Sequence, residues 1–251
     1  MADFSSEYLV SLADKYEVPS FYNEDPSQFL RWYSKDKAAD VECASFIAAM
    51  LAFGSRKQFI PKITAILQTA DKTSGSITAW LKSGAPNFNH CEKKFYRFYS
   101  YDDMHLLFSE LAEILKTNNT LGSYFECQWK NNPSQPLDMI ISNSFPKSKI
   151  VSKGKTSANK RIHMFLRWMV RQNSCIDLGL WNWYPQTNLI IPLDVHVMEE
   201  GIKMGLLSPN ATASRKTAIL LTQKMSLVFP TDPARADFAL FGLGVDSNSG
   251  E

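Results

Sequence analysis

The spacing of apolar residues is the feature that most constrains the fold, because they recur every three or four positions along most of the chain. Phe59, Ile63 and Ile66 follow this spacing, and so do Leu107 and Leu111. It places apolar side chains on one side of a helix, whereas a half-buried strand alternates with a period of two. Strand-like alternation is scarce, so the sequence predicts an all-α fold.

Helix start and stop signals divide the chain into predicted helices joined by short links. We predict helices over about 41–53, 57–69, 76–81, 102–116, 121–130, 157–171, 194–204, 213–228 and 233–242. Residues 131–156 contain three prolines and a glycine, and we predict an irregular connection there.

Composition predicts an ordinary globular protein, with 45% hydrophobic and 21% charged residues. The first 18 residues carry acidic side chains and are typical of an amphipathic helix, not of a secretory signal. The longest uninterrupted apolar run, residues 46–53, is far shorter than the ~20 residues of a membrane span. We therefore expect a cytoplasmic protein without membrane contact.

The four cysteines are isolated along the chain, and no two form a CxxC pair. This spacing argues against a zinc ribbon or an iron–sulfur cluster, and in the expected compartment it also argues against disulfides. We expect neither a metal nor a cofactor.

Charge is distributed unevenly, although the net charge is only +2. Residues 139–176 contain no acidic residue and eight basic ones, while the rest of the chain holds 19 basic and 25 acidic residues. The eight are Lys147, Lys149, Lys153, Lys155, Lys160, Arg161, Arg167 and Arg171. A basic segment in an acidic body is typical of a phosphate-facing surface. The alternative is a solvated helix and loop that are rich in lysine.

The predicted helix over 157–171 has two distinct sides at about 100° per residue. Its core-facing stripe consists of Ile162, Phe165, Leu166 and Met169. The opposite side carries Lys160, Met164, Arg167 and Arg171. Positive charge beside Lys160 favours its neutral amine, which is the form that a nucleophilic lysine needs. The alternative is that Lys160 is one of several solvated cations.

Asp194 lies in the segment IPLDVHV, residues 191–197. Pro192 restricts the residue before it to extended geometry, and Asp194 is then well placed to cap the following helix. The free N–H groups of that helix favour an ionised carboxylate. The alternative is that Asp194 is only a cap. His196 is by itself more typical of a partly buried histidine than of a base or a ligand.

Three segments together resemble the catalytic half of the helix-hairpin-helix DNA glycosylase superfamily. They are KRIHMFLRWMV (160–170), IPLDVHV (191–197) and FPTDPARADFALFGLG (229–244). The 8-oxoguanine glycosylases are the most similar branch, and the whole chain resembles an uncharacterised bacterial family placed beside them. Lys160 matches the superfamily's catalytic lysine, and Asp194 matches its aspartate.

The resemblance implies two helical subdomains that flank a cleft, and a damaged base that is flipped out of duplex DNA into it. The expected subdomains are 36–172, with Lys160, and 1–35 plus 177–251, with Asp194. It also implies a monomer with glycosylase activity on an oxidised purine such as 8-oxoguanine, through a lysine Schiff base, and possible AP-lyase activity. Asp237, Phe241, His196 and Trp181 are the candidates for the base pocket.

The segment ECASFIAAMLAFGSRKQFIPKI (42–63) resembles the one whose turn inserts side chains into the duplex, which implies that role for Ser55, Arg56 and Lys57. Further candidate nucleic-acid contacts are Lys153, Lys155, Arg161, Arg167 and Arg171. One stretch departs from the superfamily, because its glycine-rich hairpin is replaced by IVSKGKTSANK (150–160). Either Lys153 and Lys155 replace the amide–phosphate contacts, or the surface does not bind duplex DNA in the usual way. A non-catalytic nucleic-acid-binding domain and a protein-interaction domain therefore remain alternatives.

Overall fold

Helices account for 59% of the chain in a computed structural model, which describes residues 5–248. The described residues contain eleven α-helices and a two-stranded hairpin. In chain order these are α1 (Ser6–Tyr16), α2 (Ala38–Leu51), α3 (Arg56–Ser74), α4 (Ile77–Lys82), β1 (Lys94–Tyr96), β2 (Tyr99–Ser100), α5 (Tyr101–Thr117), α6 (Leu121–Asn131), α7 (Leu137–Asn143), α8 (Lys160–Val170), α9 (Val195–Lys203), α10 (Arg215–Met225) and α11 (Ala236–Asn248). The predicted all-helical class is confirmed.

Side-chain caps fix where several helices begin. At α5 the Ser100 hydroxyl accepts the Asp103 N–H at 3.1 Å, and the Asp103 carboxylate accepts the Ser100 N–H at 3.0 Å. This reciprocal pair satisfies two backbone donors that would otherwise lack partners. At the end of α3, Gly75 adopts φ +80°, a conformation that glycine enters without a steric cost.

Two elements differ from the sequence expectations. Residues 131–156 are not irregular throughout, because α7 forms within them directly after Pro136. A proline is tolerated at the start of a helix, where its missing N–H has no partner to lose. The hairpin β1–β2 is the second difference, since its turn uses Arg97 at φ +48° and has no glycine to signal it.

The chain divides into two compact units. Unit 2 is the continuous segment Glu24–Lys153. Aromatic rings fill much of its core: Phe46 stacks on Phe145 with centroids 4.8 Å apart, and Trp80 meets Phe108 edge-on at 5.0 Å. Helices α2 to α7 and the hairpin belong to this unit.

Unit 1 combines both ends of the sequence, Met1–Asn23 and Gly154–Glu251. Helices α1, α9, α10 and α11 share its hydrophobic core, in which Leu12, Val197, Leu221 and Leu240 are all buried. Helix α1 packs along α11, and α11 packs against α9. The carboxyl-terminal sequence is thus folded around the amino-terminal helix.

The boundary between the units lies before α8, not after residue 172 as we predict from the sequence. Lys160 therefore belongs to the same unit as Asp194. The segment before α8 is held by α10, because Ser157 pairs with Ser214 and the Thr156 carbonyl accepts the Arg215 N–H at 2.8 Å. Residues 1–4 and 249–251 of the expected second subdomain lie outside the described residues.

No helix in residues 5–248 combines the length and the apolar character that a membrane crossing requires. Within the same residues, no group of three or more histidine, cysteine, aspartate or glutamate side chains is arranged to hold a metal ion.

Candidate active site

Lys160 is the first residue of α8 and follows a tight left-handed position at Asn159, which has φ +47°. All nine residues from Ile162 to Val170 are buried, so the helix is enclosed on every side beyond its first turn. The side chain of Lys160 keeps 31% of its surface exposed. The lysine therefore stands at the accessible end of an otherwise buried helix.

Asp194 is the N-cap of α9, as the sequence predicts. Its Oδ1 accepts the Val197 N–H at 3.0 Å, so this oxygen holds the helix start. Its Oδ2 lies 3.6 Å from Lys160 Nζ, and the Asp194 side chain is 18% exposed. One carboxylate oxygen is thus used for capping while the other faces the amine, so the cap and the ion-pair roles coexist.

Asp237 lies in the first turn of α11, and its side chain is only 9% exposed. Its Oδ2 accepts a hydrogen bond from Arg167 Nη1. Burial raises the pKa of Asp237 to about 6; Arg167 and Lys160 oppose this shift, while Asp194 adds to it. Asp237 is therefore electrostatically coupled to both members of the Lys160–Asp194 pair.

Arg167 and Arg171 are not on an exposed basic face, and this corrects the sequence prediction that they contact nucleic acid. Only 3% of Arg167 and 2% of Arg171 is exposed. The reason is a set of buried and half-buried carboxylates that helical periodicity cannot reveal. A buried guanidinium needs such partners to offset the loss of its hydration.

The carboxylates that hold the two arginines come from four separate parts of unit 1. Arg167 pairs with Asp237 and, through Nε at 3.3 Å, with Asp177. Arg171 contacts Asp177, Asp232 and Glu17 at 2.5, 2.8 and 2.9 Å. Burial lowers the pKa of Arg171, but the three carboxylates outweigh it and raise the pKa above its ordinary value. These arginines are neutralised, so they do not supply the electropositive surroundings of Lys160 that we predict from the sequence.

The remaining base-pocket candidates fall into two groups. His196 and Phe241 are both half-buried, and their rings meet edge-on with centroids 6.0 Å apart. Trp181 is only 1% exposed and packs edge-on against Phe165 at 5.3 Å. Trp181 thus belongs to the core and offers no surface to a base, whereas His196 and Phe241 retain surface that a ligand can reach.

Of the candidate nucleic-acid contacts at the α2–α3 turn, Ser55 and Lys57 are exposed. Arg56 is half-buried and lies 3.9 Å from an Asp25 carboxylate oxygen. Lys153 and Lys155, which precede α8, are exposed, and Arg161, the second residue of α8, is half-buried. Apart from the two buried arginines, the predicted contacts thus retain accessible side chains.

Glu110 is a residue that the sequence analysis does not identify. Its buried carboxylate accepts the N–H groups of Lys147 at 2.7 Å and Ser148 at 3.0 Å. Backbone amides between two helices are the groups that could otherwise hold a phosphate. Because Glu110 occupies these two amides, they are not available to one.

Residues 25–246 match the model of a family described as "Protein of unknown function (DUF2400)". The chain belongs to this family. The match includes Lys160, Asp194 and Asp237 and omits α1. No curated protein and no solved structure matches the chain.

The acidic partners of the two buried arginines are also absent from the sequence-based candidate list, apart from Asp237. The sequence feature that could have indicated these acidic partners is the spacing of Arg167 and Arg171. They lie one helical turn apart on a helix whose other residues are mostly apolar. Two arginines on a fully enclosed helix require carboxylates nearby. That signal needs the burial of α8 to be known, which the sequence alone does not supply.

Proposed function

We propose that this protein is a DNA base-excision glycosylase with AP-lyase activity, in which Lys160 is the nucleophile and Asp194 assists it. The observation that carries the proposal is the 3.6 Å distance between Lys160 Nζ and Asp194 Oδ2. The two residues begin different helices, so their approach results from the tertiary fold. Both side chains keep some exposure, which leaves the pair accessible to a substrate.

The proposed substrate is an oxidised purine such as 8-oxoguanine, flipped out of a DNA duplex. This choice rests on the resemblance of the catalytic segments to the 8-oxoguanine glycosylases. Asp237 supports it because no described residue donates a hydrogen bond to its Oδ1, so that oxygen can pair with the base. Phe241 and His196 supply half-buried rings for stacking.

The proposed reaction begins when the Lys160 ammonium gives a proton to Asp194 and becomes a neutral amine. The amine attacks the sugar C1′, and the electron pair of the glycosidic bond leaves with the base, which takes up a proton. Asp194 supplies that proton as the base leaves, and its carboxylate, ionised again, stabilises the positive charge that develops on the sugar. The bound nitrogen then loses a proton, the C1′–O4′ bond opens with O4′ taking a proton, and a Schiff base remains.

Strand cleavage follows from the same intermediate. Loss of a C2′ proton lets the C3′–O bond break, and the 3′ phosphate leaves by β-elimination. Water then hydrolyses the Schiff base and returns the Lys160 amine.

Borohydride trapping tests this proposal, since the reagent reduces a Schiff base to a stable covalent link. Duplexes with 8-oxoguanine or an abasic site are incubated with the protein and reductant, and the protein–DNA adduct is measured. We expect an adduct with the unchanged protein and none with Lys160→Ala. The matched control is Lys216→Ala, which removes an exposed lysine on α10 of the same unit and should leave the adduct unchanged.

A non-catalytic nucleic-acid-binding domain is the second candidate function. The burial of Arg167 and Arg171 favours it, because this burial removes two of the contacts expected for a duplex-binding glycosylase. Salt-dependent DNA binding without an adduct on either duplex would support this candidate and contradict the enzymatic one.

A further inference from the structure

The β1–β2 hairpin of unit 2 carries an aromatic side chain whose exposure needs an explanation. Phe98, in the hairpin turn, is 76% exposed. Exposing a phenylalanine so fully leaves a large apolar area in water. Phe98 is also not one of the candidate site residues named above.

Phe98 is supported from behind rather than isolated. Its ring is nearly parallel to that of Phe53, with an angle of 11° and centroids 6.3 Å apart. Phe53 is in turn held by edge contacts with Tyr96 at 5.1 Å and Tyr99 at 5.5 Å. The Tyr96 hydroxyl also donates to the Phe53 carbonyl. The ring of Phe98 therefore packs against the ring of Phe53, which the two tyrosines hold in position.

Arg97 belongs to the same arrangement. Its guanidinium carbon lies 5.4 Å from the centroid of Phe98 and 5.7 Å from that of Phe53. A Cβ atom at Gly54 would lie 2.4 Å from Arg97 Nη1, so the absence of a side chain at Gly54 leaves room for the guanidinium. We call Phe53, Arg97 and Phe98 the aromatic platform.

The chain segments that contain or follow the aromatic platform residues are basic. Segment 54–63, which follows Phe53, and segment 93–101, which includes Arg97 and Phe98, contain no acidic residue. Their basic residues with no carboxylate partner in the described part of the chain are Lys57, Lys62, Lys93, Lys94 and Arg97. Such cations suit a ligand that carries phosphate groups beside a flat ring.

We propose that the aromatic platform binds an unpaired nucleobase of DNA, which stacks on Phe98 while the surrounding cations contact the flanking phosphates. A supported aromatic ring with cations around it is the combination by which proteins hold unstacked bases without reading their sequence. This inference rests on the proposed function, in that it takes DNA as the partner. It goes beyond the proposed function by naming the part of the DNA that unit 2 binds, which is an unpaired base.

The test compares binding to two labelled duplexes of the same sequence, one fully paired and one with an unpaired 2-aminopurine. Anisotropy gives the affinity, and 2-aminopurine fluorescence reports stacking. We expect the unpaired duplex to bind more tightly, and Phe98→Leu to weaken that binding about tenfold while affecting the paired duplex little. Phe98→Trp should retain the preference because it keeps an aromatic face, and Arg97→Lys should weaken it several-fold because it loses the planar group.

Leu227→Ala is the matched control, since Leu227 is 82% exposed and lies in the other unit. Equal affinities for Phe98→Leu, Leu227→Ala and the unchanged protein would overturn the inference. So would a Phe98→Leu effect of the same size on both duplexes, which indicates general hydrophobic contact. Failed borohydride trapping together with Phe98-dependent binding would contradict only the proposed chemistry, whereas trapping without a Phe98 effect would contradict only the platform.

Discussion

At the scale of single residues, Asp194 has two separable roles. One oxygen caps α9 and the other faces Lys160. Asparagine caps helices about as well as aspartate but cannot accept the lysine proton, whereas alanine does neither.

We therefore expect Asp194→Asn to slow adduct formation about a hundredfold with little change in stability. Asp194→Ala should show the same slowing and should also lower the free energy of unfolding by about 1 kcal/mol. Single-turnover trapping rates and urea unfolding measure the two effects. If Asp194→Asn traps as fast as the unchanged protein, Asp194 is a cap and nothing more.

Asp237 predicts a pH dependence of stability. Burial raises its pKa from 3.8 to about 6, so the native state binds a proton that the unfolded state has already released between those values. Stability from this group is present below pH 3.8 and is lost as the pH rises through about 6. The loss is on the order of 3 kcal/mol.

We expect Asp237→Asn to remove this loss. The free energy of unfolding of the unchanged protein should fall relative to that of Asp237→Asn as the pH rises from 3.8 to about 6. Any difference between the two proteins that does not depend on pH leaves this trend unaffected. Urea unfolding across that range measures it. A difference that stays flat with pH would contradict the raised pKa.

The burial of Arg167 and Arg171 could not be predicted from the sequence. Periodicity correctly separates the stripe of Ile162 and Phe165 from the side of the arginines, but it gives only an angle around the helix. Whether that angle faces water depends on what covers it, and the covering acids are distant in sequence. The capping role of Asp194 was predictable because it is local: the preceding Pro192 and the following helix are its neighbours in sequence.

At the scale of elements, Arg171 joins the ends of two helices. It is the C-cap residue of α8, and its partners include Glu17, the C-cap residue of α1, and Asp232 before α11. Burial also raises the pKa of Glu17, but Arg171 and its other partners outweigh it and lower the pKa below the ordinary value.

Arg171→Met should therefore destabilise the protein by about 3–5 kcal/mol, because it leaves the buried Asp177 and the half-buried Glu17 and Asp232 without their shared cation. Chemical denaturation measures this, with Lys216→Ala as the exposed control. A loss below about 1 kcal/mol would show that the network is hydrated and not buried.

The contact between α1 and α11 depends on a glycine. A Cβ atom at Gly242 would lie 2.2 Å from Tyr16 Cγ, whereas at Gly244 the closest atom, His196 Cβ, is 3.1 Å away. Both glycines lie within α11, so alanine would favour the helix equally at either position.

We expect Gly242→Ala to destabilise the protein by about 1–3 kcal/mol through overpacking, and Gly244→Ala to be close to neutral. Thermal unfolding of the two variants provides the comparison. Equal effects would contradict the close packing of Tyr16 on α11.

The elements themselves were largely predictable, and the exceptions have local causes. The helices α2 to α6 and α8 to α11 follow from apolar spacing and caps. Helix α7 was obscured because its neighbouring prolines suggest a loop, although Pro136 only precedes its first turn. The hairpin was missed because its strands are short and Arg97 takes a turn position that glycine or asparagine usually signals.

At the scale of the whole molecule, the sequence predicts two subdomains but places their boundary after α8. The structure places it before α8, and unit 1 thereby contains Lys160, Asp194 and Asp237 together. The proposed chemistry thus belongs to one unit, while the aromatic platform belongs to the other.

The central claim is that Lys160 forms a Schiff base with damaged DNA. The most direct measurement is to trap the complex with borohydride on abasic-site and 8-oxoguanine duplexes, digest it, and locate the modified residue by tandem mass spectrometry. The account predicts one modified peptide, with the deoxyribose remnant on Lys160. An adduct on a different lysine, or no adduct on either duplex under conditions where the protein binds DNA, would contradict it.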